Sequence, residues 1–276
     1  MRPTKIAQHV DIAAAFVAKG KVLTGHDGGN TQPLDQQFYN EFFRCRRSKA
    51  GIKFKHQHGV GTSVFKQALA LIQREPVGVV VGIVPWNFPL LIAAWKLMPA
   101  LATGCTVIIK PAMETPLTAM RLAELALEAG IPAGVFNVVT GGGASVGGVL
   151  TAHPLVSKVS FTGSTAVGKS VGVACMANMT RFSLELGGKN PMIVLADANI
   201  EKAVQGAILG GLLNNGQVCA AASRFYVHRS IHDQFVEALA AAVAAMPMGA
   251  GMNGDAAINP LVSRKQQQSV LKHIEL

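Results

Sequence analysis

Charge is scarce in this 276-residue chain: only 14% of residues are Asp, Glu, Lys or Arg, and the excess of positive charge sits at one end. Residues 1–74 hold twelve Lys/Arg against four Asp/Glu, whereas the rest holds thirteen against eleven. The net charge of +10 is therefore local, which argues against a nucleic-acid or membrane surface as the organising feature of the molecule. The basic run from Arg44 to Lys55, interleaved with Phe42, Phe43 and Phe54, reads as a solvated face. Cysteine is equally sparse. Cys45, Cys105, Cys175 and Cys219 form no CxxC pair and share no metal-ligand spacing with histidine. That favours a reduced, cytoplasmic setting over a disulfide framework. A long apolar span is also missing. Val77 to Trp95 carries no charge, but Pro85, Asn87 and Pro89 interrupt it as helix and as strand. Near the N-terminus Asp11 breaks the one short apolar patch, so no signal peptide is read there. No repeat, low-complexity tract or linker is present.

What remains is half hydrophobic and rich in Gly and Ala, as packed α/β layers require. From Glu75 the pattern alternates. Buried-strand runs are expected at Val77–Val84, Cys105–Lys110, Val135–Thr140 and Val156–Phe161. Helices are expected at Leu90–Thr103, closed by Gly104, at Pro116–Ala129, closed by Gly130, towards Thr151, and through Met176. That spacing predicts a doubly wound, Rossmann-like parallel sheet. Ser183–Leu186 then leads out of it. A strand at Met192–Leu195, a helix at Ile200–Leu213, a strand at Arg224–His228 and a helix at His232–Met246 begin a second α/β unit. The expected division is a basic segment 1–74, with possible helices at Ala13–Val17 and Val64–Ile72, then a dinucleotide-binding domain 75–186 and a partial catalytic domain 187–276.

Several residues stand out chemically. Cys219 follows the turn Asn214-Asn215-Gly216-Gln217-Val218; it is either a small buried hydrophobe or a nucleophile whose thiolate is stabilised by free N–H groups of adjacent helical backbone. Glu185, in Leu184-Glu185-Leu186-Gly187-Gly188, is a lone carboxylate in an apolar strand, as suits a base desolvated by burial. Asn87, held between aromatics and prolines in Pro85-Trp86-Asn87-Phe88-Pro89, is either a turn cap or a rigid oxyanion donor. Gly163-Ser164 and Gly168 open a helix after a strand, where backbone N–H groups suit a pyrophosphate. Lys110 ends a strand, a usual place for ligand contacts in open α/β sheets. Met113 and Glu114 follow it. Cys105 and Cys175 read as core, and His153, His228 and His232 as surface. No metal site is expected.

Together these motifs resemble the aldehyde dehydrogenase superfamily over about residues 74–264, and the segments 74–79 and 258–263 look closest to phenylacetaldehyde dehydrogenases. The resemblance implies NAD(P)-dependent oxidation of an aldehyde to its acid through a cysteine thiohemiacetal and thioester. It implies Cys219 as nucleophile, Glu185 as general base and Asn87 as oxyanion donor. Pro85, Trp86, Lys110, Gly163, Ser164 and Gly168 are then cofactor contacts, with NAD or NADP as cofactor. Met113 stands where the family most often has the carboxylate that meets the ribose, which leaves the choice between the two open. The family is usually homo-oligomeric, and the chain looks like a truncated member lacking the association arm. Two alternatives remain: a catalytically dead nucleotide-binding fragment, and an acyl-phosphate or acyl-CoA reductase, against which Glu185 argues.

Overall fold

The computed structural model describes residues 75–254 and 256–275. The basic run and the possible helices before Arg74 lie outside them. Five parallel strands, β1 (Val79–Ile83), β2 (Thr106–Lys110), β3 (Phe136–Val138), β4 (Val156–Gly163) and β5 (Arg181–Leu186), form one sheet in the order β3-β2-β1-β4-β5. Ser183–Leu186, expected to lead out of the sheet, belongs to its edge strand. Pairing with β4 brings Glu185 opposite Thr162.

The central strands β1 and β2 are nearly continuous apolar runs because both of their faces are covered. Val80, Val107 and Ile109 point to one face, packed with Ile92, Ala93 and Leu97 of α1 (Pro89–Ala102) and Ala119 and Ala126 of α2 (Leu117–Glu128). Val81, Ile83, Ile108 and Val159 point to the other, against Leu150 of α3 (Gly148–Ala152) and Val171 and Cys175 of α4 (Thr165–Ala177). Burying each such aliphatic side chain contributes about 1.5–3 kcal/mol. Gly104 and Gly130, just past α1 and α2, sit at φ 82° and 87°, where a side chain would be strained. A single π-helical turn at Gly143–Gly147 precedes α3.

Beyond Leu186, β6 (Asn190–Val194) and β7 (Ala222–Val227) pair in parallel as a separate two-stranded sheet. One face is covered by α5 (Ile200–Leu212) and α6 (His232–Ala244), with Val194, Val204, Ala207 and Phe235 at the centre. The last helix, α7 (Arg264–Ile274), had no expectation from the sequence. Its composition, RKQQQSVLKHI, is polar, with Val270, Leu271 and Ile274 as its apolar residues, and the Ser263 cap, which accepts from Gln266 N at 3.2 Å, marks its start. Among the described residues no helix is long and apolar enough to cross a membrane, and no His/Cys/Asp/Glu group could hold a metal.

Candidate active site

Chain connections run to opposite sides of β1, so β1 and β4 flank the switch point of the sheet, where a crevice opens at the C-terminal strand ends. Three predicted segments meet there. Ile83, the last residue of β1, lies between Lys110 of β2 and Phe161 of β4. The Pro85–Pro89 turn continues from β1, with Pro85, Trp86 and Asn87 half-buried, and Gly163-Ser164 continue from β4. A Cβ on Gly163 would stand 2.6 Å from the Phe161 ring, and one on Gly168 only 2.5 Å from Leu186 Cδ2. Glycine at both places lets the first turn of α4 lie directly on β4 and β5, with its N–H groups at the crevice mouth. Ser164 caps that turn, its Oγ accepting from Val167 N at 3.4 Å, and its hydroxyl proton has no partner among the described residues.

Lys110 is only 4% exposed, and its Nζ donates to the Pro111 carbonyl at 2.9 Å. Burial holds its ammonium below the ordinary lysine value, while the charge of Glu114 acts the other way. Met113 is exposed beside it.

Asn87 joins this crevice to the cysteine loop. Its Oδ1 accepts from Phe88 N at 3.1 Å, and its Nδ2 donates to the Gln217 carbonyl at 2.9 Å. Asn214 Nδ2 donates back to the Asn87 carbonyl at 3.3 Å. One amide N–H of Asn87 is thereby fixed and the second is left for another oxygen. Cys219 is exposed, in the turn between a 3-10 segment, Leu213–Gly216, and β7. Behind it Asn190 Nδ2 donates to the carbonyls of Cys219 and Ala221, at 2.9 and 3.2 Å. One expectation is corrected here. The helix adjoining the cysteine in sequence is α5, which ends before it and presents carbonyls rather than N–H groups, so α5 does not supply the stabilisation expected for a thiolate.

Glu185 also differs from expectation. It is exposed at the sheet edge, because β5 has no strand on its outer side among the described residues. Its charge reaches Lys96, which the sequence reading passed over. Lys96 is 8% exposed; desolvation lowers its pKa to about 8, against the opposing attraction of Glu185. Its Nζ donates to Ser160 Oγ at 3.0 Å, which lies 3.2 Å from Ser183 Oγ. The aliphatic stem crosses β1 over Gly82, where a Cβ would come within 3.3 Å of Lys96 Cδ. The available signal was a lone charge in the helix sequence PLLIAAWKLMPALA. Asn190 and Gln217 were missed as well, since a side chain that fastens a loop carries no periodic mark.

The remaining nucleophiles and bases are structural. Cys105 and Cys175 are buried, and burial pushes the Cys175 thiol up. His153, read as surface, is buried after α3 and accepts from Leu155 N at 3.2 Å. His228 and His232 are exposed, but His232 is not without an acidic neighbour: its Nδ1 lies 2.8 Å from Asp233 Oδ1.

Comparison with known proteins gives the family and the fold. The model of the aldehyde dehydrogenase family matches residues 25–276, further towards the N-terminus than the 74–264 carried by the motifs. Motif reading rests on glycine turns and reactive groups, and none of the proposed catalytic or cofactor residues falls within 25–73. The phenylacetaldehyde dehydrogenase of Pseudomonas fluorescens is 54% identical over 205 residues, which are 74% of this chain and 41% of that protein. The NADP(+) succinate-semialdehyde dehydrogenase GabD of Escherichia coli is 47% identical over 204 residues, 74% of this chain and 42% of that protein. Among solved structures, an NAD+ complex of aldehyde dehydrogenase from Bacillus cereus superposes with a TM-score of 0.72 at 47% identity, covering 74% of this chain and 41% of that one. An NADP dependent enzyme of E. coli gives 0.71 at 47% identity, covering 73% and 42%. The chain thus spans about two fifths of the length of these relatives.

Proposed function

This chain belongs to the aldehyde dehydrogenase family, and from that premise we propose that its described residues carry the nucleophile, the oxyanion donor, the base and the nucleotide crevice of an aldehyde-oxidising enzyme. The observation that carries the reading is the Asn87–Gln217 bond, which ties the crevice at the sheet's switch point to the loop bearing the one exposed cysteine among the described residues. The division at Leu186/Gly187 then separates a dinucleotide-binding domain from the part bearing the nucleophile.

Cys219 Sγ attacks the aldehyde carbon, and the oxygen, gaining negative charge, accepts from the free N–H of Asn87. A nicotinamide dinucleotide, when bound, supplies the hydride acceptor that leaves Cys219 as a thioester. Gly163, Ser164 and the first turn of α4 would hold its pyrophosphate; their fit rests on the close approach that Gly163 and Gly168 permit. Pro85 and Trp86 wall the crevice, and Lys110 stands at its far side. Glu185 takes a proton from the water that attacks the thioester, releasing the acid and the free thiolate. Lys96, charged below about pH 8, feels the charge of Glu185 across the sheet. Keeping such a base favours hydrolysis over transfer to phosphate or coenzyme A.

The relatives' names include both an NAD+ complex and NADP enzymes, and for this chain either cofactor is proposed. An aryl-acetaldehyde substrate rests on the similarity to the P. fluorescens enzyme. Mixing the chain with phenylacetaldehyde and either nucleotide tests the assignment in one turnover. Reduced nucleotide should form in proportion to enzyme, and Cys219→Ala should abolish it while nucleotide binding stays within about twofold. Turnover surviving in that variant assigns the nucleophile elsewhere.

A further inference from the structure

Asn214, Asn215 and Gly216 take left-handed backbone in succession, at φ 50°, 57° and 72°. Such a run is unfavourable for side-chain-bearing residues, and asparagine tolerates it better than most. Something must hold it, because a relaxed loop would move everything that follows, Cys219 included. The holding group is the segment Ile258-Asn259-Pro260-Leu261-Val262, which the mechanism above leaves unused. Asn215 meets it at two atoms of one peptide residue: its Nδ2 donates to the Asn259 carbonyl at 2.6 Å, and its Oδ1 accepts from Asn259 N at 3.0 Å. The side-chain amide thereby imitates a strand partner across 44 residues of chain. A second fastening lies two residues on, where Gln217 Oε1 accepts from Val262 N at 3.1 Å and Gln217 Nε2 donates to the Asn214 carbonyl at 3.0 Å. Gln217 is also the residue whose carbonyl holds the Asn87 amide.

We propose that Asn215 is a positioning residue for the proposed reaction: by clamping the left-handed turn to Asn259, it sets the Cys219 thiol and the Asn87 amide at one carbonyl group. This rests on the assignment of Cys219 as nucleophile and adds how its loop is held. Asn215 acts only through the loop. Its Oδ1 and Nδ2 are both engaged with the 258–262 segment, so its loss alters alignment rather than removing a reacting group.

Two probes of the same thiol separate alignment from mere exposure. Acylation by p-nitrophenyl acetate needs sulfur and oxyanion donor aligned, whereas alkylation by iodoacetamide needs only an accessible thiolate. Asn215→Gly retains the left-handed backbone without strain and loses all three side-chain bonds. It should slow the acylation burst at Cys219 about tenfold or more while alkylation changes less than about threefold. Asn215→Asp retains the acceptor for Asn259 N and loses the donor. It should slow acylation about threefold, and it decides the matter if the glycine variant does not fold. Acylation at the parent rate in either variant overturns the clamp, as does an equal fall in both probes, which marks general loosening. No Cys219-dependent burst in the parent chain, judged against Cys219→Ser, overturns the nucleophile assignment itself and the clamp with it.

Discussion

The two sheets of this molecule use the same parallel pairing and end up in opposite states. In the five-stranded sheet Val81, Val107 and Val159 are 0% exposed, with helices on both faces. In the two-stranded sheet only the inner face is covered by helices among the described residues. There Phe225 packs on Phe235 with ring centroids 6.2 Å apart, while the outer face leaves Ile193 68%, Leu195 63% and Tyr226 53% exposed. Parallel strands are normally covered on both sides, so the second sheet is an open surface where the first is a finished core. The difference bears on chemistry, because the proposed oxyanion donor, Asn87, stands on the closed unit and the nucleophile on the open one. What joins them is a few side-chain amides: Asn87 with Gln217, and Asn214 with Asn87. Precision at the reacting centre therefore depends on loop hydrogen bonds rather than on a shared core.

Deleting bulk from each sheet is the hardest test of that contrast. Phe161 is 4% exposed and fills the space beneath Gly163 and Gly168. Phe161→Ala should cost about 3–5 kcal/mol in urea unfolding. Ile193→Ser on the open face should change stability by no more than about 0.5 kcal/mol and improve solubility. Equal losses in the two variants would mean that the outer face of β6–β7 is covered in solution.

The buried cation under the closed sheet gives a pH-dependent version of the contrast. Burial lowers the Lys96 pKa to about 8 in the fold, against the ordinary lysine value of 10.5. Between these values the unfolded chain binds more protons, so stability should rise as pH goes from 8 towards 10.5; below pH 8 the cost of burying the charge is fully present. The span corresponds to about 3 kcal/mol. Lys96→Met should flatten this rise and raise stability at pH 7, as read from denaturation midpoints at pH 7, 9 and 10. A parent chain whose midpoint stays level over that interval contradicts a desolvated Lys96.

Much of this was legible in the residues. Apolar runs placed β1 and β2, and glycines after apolar helices placed the ends of α1 and α2, because burial and left-handed backbone write themselves into local composition. Cys219, Glu185 and Asn87 stood out as candidates through the company they keep. Whether each would be buried was not. Glu185 was expected inside an apolar strand, but β5 is an edge strand, and position in a sheet is set by pairing between segments far apart in the chain. Lys96 and Asn215 were missed for a related reason. Their meaning comes from partners 64 and 44 residues away, Ser160 and Asn259, which no window of sequence displays.

Cofactor choice is the smallest effect expected. Lys110 is buried with Glu114 acting on it, while exposed Met113 offers no carboxylate to a ribose hydroxyl. The parent should bind NAD and NADP within about tenfold of each other, and Met113→Glu should shift the ratio about tenfold towards NAD. Strong NAD preference in the parent, unmoved by the substitution, would show that Glu114 already serves the ribose.

In the proposed reaction a thioester forms on Cys219 and Glu185 drives its hydrolysis. Intact-mass measurement of Glu185→Gln after brief exposure to p-nitrophenyl acetate tests this most directly. One acetyl group should remain on Cys219 long after the parent has released acetate. Acetate release at the parent rate, or an acetyl group on any other residue, would contradict it.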